Sequence, residues 1–210
     1  RQDANGVWSI GVRAFRVGAA FLTQRDLAVE ARPHLTRLME QAGETANLAV
    51  IENGAAVFVS QVPCRELMRM NARLGARAPL HASGVGKAIF AALPDEQIEA
   101  ILKVKGLPRI TENTITAPET MWASVRVIRQ RGYSFDDEEH LIGTRCVASP
   151  IYDEHAECLG AISVAGPISR LPDARIRQLG PVVAHTAEEI TRKVGGRWPH
   201  PQRGIAAGPG

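Results

Sequence analysis

Apolar residues recur at helical spacing over residues 12–44 and again over 172–194, while between them the pattern switches repeatedly to the alternation of strands. Pro33 interrupts the first stretch. A proline is tolerated in a first turn and damaging in a helix interior, so the pattern predicts two helices there. Residues 47–51 and 55–61 are β-rich runs around Glu52-Asn53-Gly54, and Asn-Gly is a strong hairpin signal because both residues tolerate positive φ. Residues 67–74 read as a third strand. Residues 84–93 read as a helix with a glycine-rich start. Pro94-Asp95-Glu96-Gln97 opens another, with Ile98, Ile101 and Leu102 on one face. Residues 106–116 read as loop, and Pro118-Glu119 starts a helix that reaches about Arg131, with Gly132 just past its end. Residues 144–152 and 159–164 are β-rich runs around the polar turn 153–157, and the last helix closes at Gly195-Gly196. Strand pairs joined by such short turns are antiparallel neighbours. The pattern therefore predicts an α+β domain, an antiparallel sheet with helices packed on it.

Composition narrows the picture without changing it. With 45% hydrophobic and 22% charged residues in 210, the chain is neither disordered nor collagenous, and one domain of this size buries a core without disulfides or metals. The charges, 25 Lys+Arg against 22 Asp+Glu, are mixed along the chain, and a net +3 is weak support for a nucleic-acid surface. Three cysteines with no CxxC pair argue against a disulfide scaffold or a structural zinc site, so a reducing cytoplasm is expected. No apolar run approaches the ~18–20 residues of a membrane span, and no membrane partner is expected.

Candidate chemistry gathers in a few segments. In Cys146-Val147-Ala148 and Ala161-Ile162-Ser163-Val164-Ala165 small residues alternate with branched ones, which puts Cys146, Ala148, Ala161, Ser163 and Ala165 on small strand faces. Such a face either receives a closely packed helix or floors a ligand pocket with a thiol and a hydroxyl as its polar points. His81-Ala82-Ser83-Gly84-Val85-Gly86-Lys87 fails the Walker pattern because Ala88 follows the lysine, and fails the dinucleotide pattern at Ile89. What survives is a glycine-rich helix start, whose free N–H groups and dipole favour a small anion. Asp136-Asp137-Glu138-Glu139 lacks a second ligand set for a metal and reads as solvated loop, or as one acid facing a ligand. Arg65, Arg69, Arg73 and Arg77 recur every four residues, and a solvated face is the preferred reading over a DNA-binding surface.

In order along the chain, Leu80-His81-Ala82-Ser83-Gly84-Val85-Gly86-Lys87-Ala88, Arg131-Gly132-Tyr133-Ser134-Phe135-Asp136-Asp137-Glu138-Glu139 with Gly143, Arg145-Cys146-Val147-Ala148, Pro150 and Ala161-Ile162-Ser163-Val164-Ala165-Gly166-Pro167 strongly resemble the C-terminal half of IclR-family transcriptional regulators. The resemblance runs from about Trp8 to Gly195. It implies a GAF-like antiparallel sheet with flanking helices, preceded by linker helices. It divides the chain into a remnant of a winged-helix wing and linker at 1–11 (its strand at 7–10) and an effector-binding domain at 12–196, while the Pro/Gly-rich composition of 197–210, without a core pattern, predicts a mobile tail. By resemblance to the glyoxylate-sensing type within the family, the ligand is a small carboxylate such as glyoxylate or pyruvate. Its polar contacts are then Gly84, Val85, Asp136, Cys146 and Ser163, and Leu67 and Met70 form part of an apolar wall. Three positions depart from that type: Ala165 replaces a second serine, and Ala78 and Thr144 replace leucines. These departures predict a roomier pocket, suited to a larger acid. No cofactor or metal is implied. Operator DNA is expected to bind through an N-terminal winged helix-turn-helix outside these residues, in a homodimer or homotetramer.

Three other functions compete: an enzyme with Cys146 or Ser163 as nucleophile, a stand-alone nucleic-acid binder, and a metal-assisted site around Asp136 and Cys146. No general base has a recognisable partner in the sequence, and the sensor reading is preferred.

Overall fold

The computed structural model describes residues 12–199. The predicted wing remnant at 7–10 and most of the predicted tail lie outside the described residues. The order of elements is α1 (Val12–Ala42), β1 (Thr45–Glu52), β2 (Ala55–Val62), β3 (Arg77–Ala78), α2 (Gly84–Ala92), α3 (Asp95–Lys105), α4 (Pro118–Arg131), β4 (Ser134–Asp137), β5 (Thr144–Tyr152), β6 (Cys158–Pro167) and α5 (Asp173–Lys193). The strands form one antiparallel sheet in the order β3-β2-β1-β6-β5-β4. The β1–β2 hairpin turns on Asn53 and Gly54, with φ of 49° and 64°, as the Asn-Gly signal requires.

Strand alternation divides the core in two. Leu48 and Val50 of β1, Val147 and Ile151 of β5, and Ile162 and Val164 of β6 face α1 and α5. Ala49, Cys146, Ala148, Ala161 and Ala165 face the opposite side, against Val85, Ile89 and Phe90 of α2 and Met121, Val125 and Ile128 of α4. The small residues let α2 approach the sheet closely, and it is buried from Gly84 to Ala91.

Several elements differ from expectation. The region before β1 is one helix, α1, running through Pro33. Burial of Leu27, Ala31, Leu35 and Leu38 on both sides of the proline keeps the helix continuous through it, and Val29, whose carbonyl loses its partner, is 59% exposed and open to water. Residues 67–74 form no strand: Leu67, Met68 and Leu74 are exposed, and only Arg77–Ala78 pairs with β2. Conversely, part of the acidic run read as loop is a strand, β4, with Ser134 and Asp136 buried. The tail from Arg197 starts docked, for the Arg197 amide donates to the Asp153 carbonyl (2.9 Å) and Trp198 meets Tyr152 edge-on. Among the described residues no helix is long and apolar enough to cross a membrane.

Candidate functional site

The small face of the central strands does not meet α2 along its whole length. Where the helix begins, a cavity of about 30 Å³ remains, lined by Asn47, Phe58, Met70, Ala72, Ser83, Gly84, Val85, Asp136, His140, Leu141, Thr144, Cys146, Ser163 and Ala165. Register brings the strand residues together: Asp136 pairs with Cys146, Cys146 with Ala165, and Ser163 with Asn47 on one side and Ala148 on the other.

The helix start is built to leave donors free. Ser83 caps α2, its hydroxyl accepting from the Gly86 amide (3.0 Å) and donating to the Pro79 carbonyl (2.7 Å). The Lys87 amide donates to the Ser83 carbonyl (2.8 Å). Among the described residues the first two amides, Gly84 and Val85, have no oxygen partner, and that of Val85 faces the Cys146 sulfur. Only glycine fits at position 84, where a Cβ would overlap that sulfur. Ser134 ties β4 to this turn by donating to the Gly84 carbonyl (2.7 Å).

Opposite the amides, the turn after β4 carries three titratable groups. Asp136 Oδ1 accepts from the Glu139 amide (2.8 Å), and Glu139 pairs with Lys87, both side chains being buried. The other Glu139 oxygen, Oε2, has no partner among the described residues. Thr111 and Thr114 hold the turn by donating to the carbonyls of Glu138 (2.7 Å) and Glu139 (2.8 Å). Burial pushes the Asp136 carboxyl up to about 7, against the pull of Lys87 and two backbone amides. Burial also holds His140 below its ordinary value, with His81 adding to the effect. The Cys146 thiol is pushed up to about 12 by burial and by Asp136. It is the reverse of an activated nucleophile. Among the described residues no three His, Cys, Asp or Glu side chains converge as metal ligands.

Of the residues singled out from sequence, Gly84, Val85, Asp136, Cys146, Ser163, Met70, Thr144 and Ala165 converge on this one cavity. Two do not. Leu67 is 98% exposed and contributes no wall. Ala78 is buried in β3, packed in the core rather than at the cavity. Phe58, Met70 and Leu141 form the apolar sides of the cavity. Sequence reading missed Asn47, Phe58, Ala72, Ser83, His140 and Leu141. Asn47 had a signal: a polar residue on the same strand face as Ala49, in an otherwise apolar run. Its amide nitrogen donates to Ser163 Oγ (3.3 Å) while its oxygen accepts from Gln61 (2.8 Å). The four arginines form no helical face: Arg77 pairs with Glu52 and Arg69 reaches the Glu66 carbonyl.

The family described as "Bacterial transcriptional regulator IclR C-terminal" matches residues 19–192. The acetate operon repressor of Salmonella typhimurium is 47% identical over 193 residues, 91% of this chain and 70% of that protein. The crystal structure of Thermotoga maritima IclR superposes with a TM-score of 0.79 at 30% identity, over 92% of this chain and 78% of that one. The inducer-binding domain of an Acinetobacter PobR double mutant, in complex with 3-hydroxybenzoic acid, superposes with a TM-score of 0.70 at 26% identity, over 78% and 97% of the two chains. The chain belongs to the IclR family of bacterial transcriptional regulators, matching its C-terminal domain, and so to a family of regulators rather than enzymes.

Proposed function

We propose that this chain is the effector-sensing part of an IclR-type repressor and that its cavity receives a small carboxylate of the 2-oxo acid type. The observation that carries this reading is the pair of amides without an oxygen partner among the described residues, Gly84 and Val85, at the positive end of a buried helix beside a cavity that Asn47, Asp136 and Ser163 also line. The ligand's carboxylate sits on those amides within reach of Asp136, and its remaining oxygen falls to Ser163 and Asn47. The narrow space between Phe58, Met70 and Leu141 favours a compact acid of the glyoxylate or pyruvate kind over an aromatic one. Binding shifts an equilibrium that a winged helix-turn-helix outside this chain reads at operator DNA, within a homodimer or homotetramer. Such coupling requires the effector to prefer one state of the regulator.

The test is calorimetric titration of the chain with glyoxylate, pyruvate and 3-hydroxybenzoate. The 2-oxo acids are expected to bind, and Ser163→Ala to weaken them by about two- to twelvefold, the net worth of one neutral hydrogen bond. Binding of 3-hydroxybenzoate with no response to either 2-oxo acid overturns the size argument.

A further inference from the structure

We infer that Asp136 meets the effector as a neutral acid, donating its proton to the bound carboxylate, so that wherever Asp136 is ionised in the empty protein the site takes up a proton from solvent as it binds the anion. The inference rests on the proposed small-carboxylate site and adds the protonation state in which that site works.

The argument is a count of charges. Asp136 is faced by Lys87 from α2, by Glu139 and His140 from the turn that follows it, and by Cys146 from β5, with His81 behind His140. Asp137 and Arg145 pair with each other on the opposite face of β4 and β5. The charge of Lys87 is committed to Glu139, so that pair is neutral as a whole. The Cys146 thiol is neutral at any physiological pH. An ionised Asp136 would then leave a net negative charge in the wall of a cavity built around free N–H donors. An incoming carboxylate shares the cavity with it. Two carboxylates that close hold one proton between them, because like charges in one poorly solvated site do not both ionise. Oδ1 accepts from the Glu139 amide and so is the less basic position for the proton, while the His140 amide also lies against the carboxyl. In the empty protein the carboxyl titrates at about 7, held up by burial, so the proton is partly in place before the ligand arrives.

The experiment is titration with pyruvate from pH 5.5 to 8.5, in buffers of different ionisation enthalpy, on the wild type, Asp136→Asn and His140→Gln. Wild-type affinity is expected to be level below about pH 7 and to fall about tenfold per pH unit above it, with proton uptake rising towards about one. In Asp136→Asn the side-chain oxygen keeps the Glu139 amide and the NH₂ group donates to the ligand, so the pH slope and the proton uptake both vanish. His140→Gln keeps the slope. If His140→Gln abolishes the uptake and Asp136→Asn retains it, the histidine carries the proton and the inference is overturned. Pyruvate binding without proton exchange in the wild type overturns it too, whether or not Asp136→Asn folds, and leaves the carboxylate site standing. Failure of both pyruvate and glyoxylate to bind at any pH removes the site itself.

Discussion

A methyl group added at Gly84 meets the Cys146 sulfur, whereas one added at Gly86 meets the Pro79 carbonyl and lies 2.7 Å from Leu80 Cα. The two glycines therefore respond differently to repair. Gly84→Ala is expected to cost about 1–3 kcal/mol, and Cys146→Ala in the same chain to recover at least half of it, because a side chain can be removed. Gly86→Ala is expected to cost about 3 kcal/mol with no such rescue, because the obstacle is backbone. Urea denaturation of the three variants decides this; equal costs with and without Cys146→Ala refute the contact. Asp136 offers a second check. Its carboxyl sits at about 7 in the folded chain against an ordinary 3.8, so the folded state binds the proton more tightly. That contribution is present below pH 4 and lost as pH rises through 7. Asp136→Asn does not titrate, so it should match the wild type near pH 4 and exceed it by about 2–4 kcal/mol at pH 8. A stability difference that is constant with pH contradicts the burial argument. At this scale much of the site was legible, because strand alternation places Cys146 and Ser163 on one face and a glycine-rich helix start exposes N–H groups. Ser83, His140 and Leu141 were not, since their approach to the cavity depends on a cap, a turn and a chain crossing that no local period encodes.

Elements were most legible where one period persists and least where composition and period disagree. Residues 144–152 read as a strand and are one, with a continuous buried run from Cys146 to Tyr152. Ser134-Phe135-Asp136-Asp137 also alternates, but its acids spoke for solvent, and its pairing with β5, from Ser134–Ala148 to Asp137–Arg145, makes it a strand. Residues 67–74 are apolar enough for a strand, yet Gly75 and Ala76 reach β2 at Phe58 first, which leaves the preceding segment without a ladder. Pro33 is the sharpest case. Local chemistry says that a helix ends there, and the burial of Leu35 and Leu38 beyond it says otherwise. Pro33→Ala restores the N–H to Val29 and should raise stability by about 1–2 kcal/mol, the helix gain less the entropy that proline removes from the unfolded chain. A loss of stability in thermal or urea unfolding would mean that α1 needs the bend a proline imposes in order to lie along the sheet.

Across the whole molecule the sheet separates the cavity from α1, so a signal must cross the central strands or go round them. A route round them is present. Arg170 clasps Glu44 at the α1–β1 junction through two nitrogens, one of them 2.8 Å from Oε2, and also donates to the Met68 carbonyl (2.9 Å). Met70, two residues on, lines the cavity. Arg175 holds the last carbonyls of α1, Gln41 and Ala42, at 3.2 Å. One arginine thus joins the cavity wall to the end of the long helix. Removing Arg170 alone would strand a buried carboxylate, so the informative variant is Glu44→Gln with Arg170→Met, which deletes the link and leaves no bare charge. In hydrogen exchange, pyruvate is expected to slow the amides of residues 84–87 and 138–143 in both proteins. In the wild type it should also slow residues 41–45 by about fivefold or more, the low end of ordinary allosteric coupling, and in the double variant that distant protection should disappear. If residues 41–45 are protected equally in both, the coupling passes instead through β1 and β6. There Asn47 and Ser163 touch the cavity while Leu48 and Ile162, the next residues along, face α1 and α5.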